Sequence, residues 1–256
     1  MEKVAVWSES CVVRFGAIDE SDTMTLDAAF DFFQEAAISH AENLGVGREA
    51  MARTNQAWIL SRMSLQIDRR PKYGEALTVR TWPRGGEKLF ALRDYDIRDS
   101  RDIPVIRARS CWLIIDREKR RPLRPQLIMN NLPLNEGQNA LYPGAALAAG
   151  LDERSSLSKT AERRALYTDV DYNGHVNHVS YIRWIEDAAD PALLERAGQI
   201  RLDINYVNEI LPGEVTGIWA GAIEPGTEFH AFAFEGKKEQ ENQTAFRAEL
   251  RIKLGI

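Results

Sequence analysis

Two hydrophobic periods alternate along the chain, and their order is written twice. From Thr25, "TLDAAFDFFQEAAISHAENLG" places Leu26, Ala29, Phe30, Phe33, Ala37 and Leu44 at helical spacing. Thr25 sits where a cap belongs, and Gly45 stands where the helix should stop. The spacing predicts one long amphipathic helix. After it come the strand-like runs "WILSRMSLQI" (58–67), "ALTVRTW" (76–82), "KLFALRDYDI" (88–97) and "VIRARSCWLII" (105–115). Turn-rich segments such as "RRPKYGE" and "RDSRDIP" separate them, so an antiparallel meander should follow the helix.

The second half repeats the order. "RRALYTDV" reads as a strand, and a helix runs from about Val179 to Ala189, where Pro191 stops it. Then come "IRLDINYV", "EVTGIWAGA", "EFHAFAFEG" and "TAFRAELRIKL", the last alternating so that Phe246, Ala248, Leu250, Ile252 and Leu254 share a face. Gly74-Glu75 and Arg107-Ala108 recur as Gly213-Glu214 and Arg247-Ala248 at a constant separation of about 140 residues. The fold class expected is α+β, with two units that each wrap a curved antiparallel sheet around a central helix. Residues 1–130 form the first domain and 161–256 the second, while the Pro-, Gly-, Asn- and Ala-rich 131–160 connects them.

Composition narrows the function. The net charge is −5 over 256 residues, which gives no general attraction to nucleic acid or to an anionic membrane. No apolar run approaches the roughly 20 residues that span a bilayer, and the N-terminus has no basic region followed by an apolar one. Cys11 and Cys111 are the two cysteines, too far apart for a metal or redox motif, so no metal site is expected and a reducing, cytoplasmic location is.

Candidate chemistry gathers in "DVDYNGHVNHVSYIRWIEDA", which begins at Asp169. Asn173-Gly174 is a turn signal, Asn177 can cap the helix, His178 reads as an exposed first-turn residue, and Asp169 as the end of a strand. Asp171, Asn173 and His175 alternate. In an extended segment their carboxylate, amide and imidazole would point to one spot. The helix that follows offers the positive end of its dipole to an oxygen gaining negative charge. Aligning Glu35 with Glu186 sets "DESDTMTLDAAF" opposite "VDYNGHVNHVSY", so the first half lacks the two His and two Asn of the second. The chemistry is expected in the second copy.

That stretch resembles the motif of the plant-type fatty acyl-ACP thioesterases, a family with two tandem hot-dog domains. "FFQEAAISHAENLGVG", "WILSRMSLQIDRRPKYGEALTVRTW" and "ARSCWLIIDREKRRPLRP" are similar to its N-terminal domain. The resemblance implies that Asp171, Asn173 and His175 hold the family's functional positions. It also implies that Glu209, in "NYVNEILPGE" with Tyr206, supplies the Glu of its Tyr-x-x-Glu-Cys pattern. Ile210 replaces that Cys, so a thiol nucleophile at this site is excluded. Arg70 occupies the place of Glu209 in the first copy.

The activity implied is hydrolysis of a fatty acyl thioester on the phosphopantetheine arm of acyl carrier protein, without a cofactor. Glu209 or Asp171 would activate water, and Asn173 and His175 would position it. An acyl-CoA thioesterase of the same fold and a non-catalytic acyl-binding hot-dog protein remain as alternatives, and a homodimer is left open. The acyl tail needs apolar lining, for which Phe30, Phe33, Trp58 and Met63 are candidates alongside a plain core role. An acidic carrier needs a basic patch, and "DREKRRPLRP" offers Arg117, Lys119, Arg120, Arg121 and Arg124, a run that can equally be a solvated loop.

Overall fold

A computed structural model of the chain describes residues 2–141, 157–225 and 229–255. They divide into two compact units. The first contains residues up to Met24, Ala28–Ser64 and the described residues from Arg70 to 141; the second contains Thr25–Asp27, Leu65–Arg69 and the described residues from 157 onward.

Apart from Leu26–Asp27 and Leu65–Ile67, which are grouped with the second unit, the first unit holds β1 (Trp7–Val12), α1 (Leu26–Asn43), α2 (Arg48–Arg53) and β2 (Gln56–Ile67). Then come β3 (Ala76–Glu87), β4 (Phe90–Arg98), β5 (Pro104–Asp116), β6 (Arg121–Leu123) and α3 (Gln126–Met129). The strand order is β1-β3-β4-β5-β2, with β6 paired to β5. The helical spacing read from the sequence is the buried face of α1: Leu26, Ala29, Phe30 and Phe33 are fully buried, as is Leu44 just past its end. Gly45 has φ +73°, the left-handed geometry that ends a helix. Phe33 packs on Tyr95 of β4 with ring centroids 4.9 Å apart.

The second unit runs β7 (Ser158–Arg164), α4 (His178–Ala188), α5 (Pro191–Glu195), β8 (Ala197–Tyr206), β9 (Val215–Pro225), β10 (Phe229–Lys238) and β11 (Gln243–Leu254). Its strand order is β8-β11-β10-β9-β7, and the pairs β8/β11, β11/β10, β10/β9 and β9/β7 are all antiparallel. Val179, Ile182 and Ile185 of α4 are buried, as are Phe246, Ala248, Leu250 and Ile252 of β11; Leu254 at the strand end is half-buried. Pro191 does not merely stop α4. It opens α5, with the Asp190 carboxylate accepting the Ala192 N–H at 3.0 Å.

One sequence expectation moves. The strand expected at "RRALYTDV" lies earlier, as β7, and Tyr167–Asp169 is a single 3-10 turn because the Asp169 carboxylate accepts the Leu166 N–H at 2.9 Å and closes it. The segment proposed to connect the domains at 131–160 contains residues 142–156, which lie outside the described residues. Its first part is bound to the first unit. Asn135 N–H donates to the Pro83 carbonyl at 3.0 Å, Trp82 Nε1 donates to the Gln138 carbonyl at 2.9 Å, and Ala140 N–H donates to Asp94 at 2.9 Å.

Asp94 is the centre of that attachment. It is fully buried on β4, directly opposite Arg109 on β5, whose guanidinium grips both carboxylate oxygens at 2.5 and 2.7 Å. The same guanidinium donates to Asn139 at 3.0 Å, and Arg84 lies 3.7 Å from the carboxylate. Removing one partner of a buried pair leaves an uncompensated charge, at a cost of about 3–5 kcal/mol. Arg109→Ala is therefore expected to destabilise the chain by about that amount in urea unfolding. A change within error would show that Asp94 is solvated by other means.

Candidate active site

The candidate residues meet at the entry to α4. Val170 and Val176 form an isolated antiparallel bridge, and between them the chain reverses over residues 171–175. Asp171 N–H donates to the His175 carbonyl at 2.9 Å, and Gly174 N–H to the Asp171 carbonyl at 3.0 Å. Gly174 has φ +81°, which a β-carbon would strain. The Asp171 carboxylate accepts the Asn173 backbone N–H at 2.7 Å and its side-chain Nδ2 at 3.2 Å. Asp171–His175 is thus a turn and not the extended segment expected from its alternation, because this Asx arrangement and the left-handed glycine reverse the backbone.

The side chains form two pairs, Asp171 with Asn173 within the turn and His175 with Glu209 beyond it. His175 Nε2 lies 3.2 Å from Glu209 Oε2, with the histidine about two-fifths and the glutamate about three-fifths exposed. Glu209 is the third residue beyond the end of β8. It is held there by one backbone link and one side-chain link: Val176 N–H donates to the Ile210 carbonyl at 2.9 Å, and Leu211 N–H donates to the Glu214 carboxylate at 2.8 Å. Glu214 is anchored in turn by the buried ammonium of Lys238 at 3.0 Å. Asn177 caps α4, its Oδ1 accepting the Val179 N–H at 2.9 Å, while its own N–H donates to the Asp169 carbonyl at 2.7 Å.

Behind the turn the surroundings are apolar and aromatic. Tyr181 is buried between Tyr206 and Phe246, at centroid distances of 5.5 and 5.3 Å. Burial pushes its hydroxyl pKa well up, and the negative charges of Glu209, Glu214 and Asp171 push it further. His178 is half-buried with its ring edge-on to Tyr206 at 6.0 Å, so the exposed first-turn position read from the sequence does not hold. Burial lowers its pKa to about 4.

The sequence profile of the acyl-ACP thioesterase N-terminal domain matches residues 5–127, and that of the C-terminal domain matches residues 152–255. The chain belongs to the acyl-ACP thioesterase family. It is 25% identical over 221 residues to the acyl-[acyl-carrier-protein] hydrolase FATB2 of Cuphea viscosissima, covering 80% of this chain and 52% of that protein. It is 26% identical over 227 residues to oleoyl-acyl carrier protein thioesterase 2 of Arabidopsis thaliana, covering 82% of this chain and 61% of that one. The chain therefore spans little more than half the length of these relatives, both described as chloroplastic.

The solved structure of an acyl-ACP thioesterase from Bacteroides thetaiotaomicron matches with a TM-score of 0.84 at 22% identity, over 96% of this chain and 97% of that one. The 12:0-ACP thioesterase of Umbellularia californica matches with a TM-score of 0.81 at 17% identity, over 98% and 95%. At these identities the likeness establishes the fold, two hot-dog units in tandem along the chain.

Other expectations fare differently in this family member. Ile210, where a thiol was conceivable, is fully buried. Cys11 and Cys111 lie on β1 and β5 of the first unit, and burial raises both thiols to about 11, which keeps them protonated near neutrality. Among the described residues no group of three or more His, Cys, Asp or Glu could hold a metal ion. Phe30, Phe33 and Met63 are buried; Trp58 is half-buried, its indole donating to the Val46 carbonyl at 2.9 Å. Arg117, Lys119, Arg120, Arg121 and Arg124 are all exposed, on and just beyond the β5–β6 turn.

The alignment of the two halves is corrected by one residue. Asp19 N–H donates to the Thr23 carbonyl, Asp22 N–H to the Asp19 carbonyl and Met24 N–H to the Pro71 carbonyl, which reproduces the bonds of Asp171, Gly174 and Val176 one for one. Asp19 is therefore the counterpart of Asp171, Ser21 of Asn173 and Thr23 of His175. Matching the left-handed positions Asp22 (φ +61°) and Gly174, and not the helix glutamates, is the signal that finds this register.

Asn177→Ala is expected to lose about 1 kcal/mol of stability through the missing cap, read by urea unfolding, and to retain turnover within a few fold. A loss of turnover of about 10²-fold or more at unchanged stability would instead place Asn177 in the chemistry.

Proposed function

We propose that this chain hydrolyses fatty acyl-ACP to free fatty acid and holo-ACP, with Asp171, Asn173, His175 and Glu209 as its catalytic residues. The observation that carries the reading is the 3.2 Å contact of His175 with Glu209 beside the Asp171–Asn173 turn, in a member of the acyl-ACP thioesterase family. Water attacks the thioester carbonyl, the C–S bond breaks, and the departing thiolate takes a proton. Glu209 or Asp171 accepts the proton of the attacking water, directly or through His175, and His175 returns one to the sulfur. The oxyanion forms close to the N-terminal end of α4, whose dipole favours negative charge. The chemistry calls for no cofactor.

Phe30, Phe33, Trp58 and Met63 are the proposed lining for the acyl tail. The buried state of three of them supports an apolar environment for such a chain. Among the described residues no helix is long and apolar enough to cross a membrane. The absence of any metal or redox spacing between the two thiols supports a cytoplasmic site of action.

Removal of a positioned acid, base or oxyanion donor costs about 10²–10⁴-fold in rate. Asp171→Ala and His175→Ala are each expected to lose turnover of acyl-ACP by that range while keeping the wild-type unfolding transition, with free fatty acid as the readout. Normal turnover in both would overturn the site assignment. An absence of hydrolysis by the wild-type chain across acyl-ACPs of several lengths would favour a non-catalytic acyl-binding protein.

The carrier itself is tested at the β5–β6 turn. Residues 117–124 hold five cationic side chains against Glu118, in a chain of net charge −5. Asp116 spends its carboxylate within the turn, accepting the Glu118 and Lys119 N–H groups at 3.1 and 2.9 Å. Arg120→Ala/Arg121→Ala is expected to weaken acyl-ACP turnover through KM and to leave acyl-CoA turnover unchanged. Equal effects on both substrates would count against a docking role, and faster turnover of acyl-CoA than acyl-ACP in the wild type would favour CoA as the carrier.

A further inference from the structure

The two turns share a backbone and differ in what happens to their aspartate. In the first unit the Asp19 carboxylate is saturated. It accepts the Ser21 N–H and hydroxyl at 3.0 and 2.6 Å, the Thr23 N–H and hydroxyl at 3.4 Å each, and a short ion pair from Arg70. Arg70 is nearly buried and also donates through Nε to the Met24 carbonyl at 2.9 Å and through Nη2 to the Thr23 carbonyl at 3.4 Å. It closes the turn over its own aspartate.

In the second unit the Asp171 carboxylate accepts hydrogen bonds from Asn173 alone among the described residues. The residue at the Arg70 position is Glu209, the third beyond its strand as Arg70 is the third beyond β2. An anion there cannot pair with Asp171 and turns to His175 instead.

Resting on the thioesterase reading, we propose that this one position decides whether each aspartate turn is locked or open. Glu209, besides any part in proton transfer, is then a positioning residue that keeps the Asp171 carboxylate unneutralised and accessible to water and thioester. The locked copy shows the alternative built from the same backbone. There, hydrogen bonds from Ser21 and the Arg70 guanidinium outweigh burial and hold the Asp19 carboxyl below its ordinary range.

The test is to write the lock into the second unit. Glu209→Arg is expected to place a guanidinium on Asp171, raise the unfolding midpoint by about 2–4 °C, shift the Asp171 carboxyl titration downward in carbon-detected NMR, and abolish turnover. Glu209→Gln should also lose turnover, with the Asp171 titration and the midpoint close to wild type. Adding Asp171→Asn to Glu209→Arg should cancel the gain in midpoint. The reciprocal Arg70→Glu should release Asp19, raising its titration and lowering the midpoint, and Arg70→Lys should restore part of both.

If Glu209→Arg leaves the Asp171 titration and the midpoint indistinguishable from Glu209→Gln, the lock is wrong. If it cannot be purified folded, an unchanged Asp19 titration in Arg70→Met overturns the proposal, and a raised one supports it. Both readouts need no substrate. Failure of the thioesterase reading would appear separately, as a wild-type chain that does not hydrolyse acyl-ACP.

Discussion

The hydrogen bond from Val176 N–H to the Ile210 carbonyl determines which side chains can meet. It joins the residue after His175 to the residue after Glu209, so the imidazole and the carboxylate that precede them come within 3.2 Å across the gap. The same bond in the first unit, from Met24 to the carbonyl of Pro71, sets Thr23 beside Arg70. One backbone link therefore presents two different pairs. Chemistry is a matter of what is attached to it, and the framework itself is common property of both units.

The elements around this link explain its stability. Ile210 is fully buried, so its carbonyl has no ready exchange with water and the bond from Val176 is costly to leave unmade. Lys238 and Glu214 hold the turn beyond it, and Asn177 holds the first turn of α4 on the other side. His175 and Glu209 remain partly exposed, while Ile210 and Lys238, which help to fix them, are buried. That division suits a site in which reacting groups need access and their positions need to be fixed.

Much of this was legible in the sequence because burial follows period. The helical face from Leu26 to Leu44 and the alternation from Phe246 to Ile252 were fully visible, since each period corresponds to one physical surface meeting a core. The candidate residues stood out by type and spacing, but their geometry was not legible. Alternation at Asp171, Asn173 and His175 implied an extended strand, whereas the Asp171 carboxylate captures the Asn173 N–H and bends the chain. Side-chain-to-backbone bonds of this kind leave no period to read. The one-residue error in matching the halves has the same origin. Helix glutamates carry little structural information, while Asp22 and Gly174 mark a backbone conformation that both turns must adopt.

Least legible was the polar interior of the first unit. Asp94 and Arg109 lie in runs that read simply as strands, and nothing in their spacing says that they face each other across a buried register or that Asn139 and Ala140 complete the set. Such pairs arise between segments distant in the chain, where local pattern has no reach. The same limit governs Asp19 and Arg70. As separate residues they are an acid in a loop and a base after a strand; as a pair they close, in the first unit, the same turn that is proposed to carry chemistry in the second. Duplication then supplies its own control. The second unit lacks that closure, which leaves its aspartate turn with fewer bonds than the fold can provide, as expected where local stability is yielded to function.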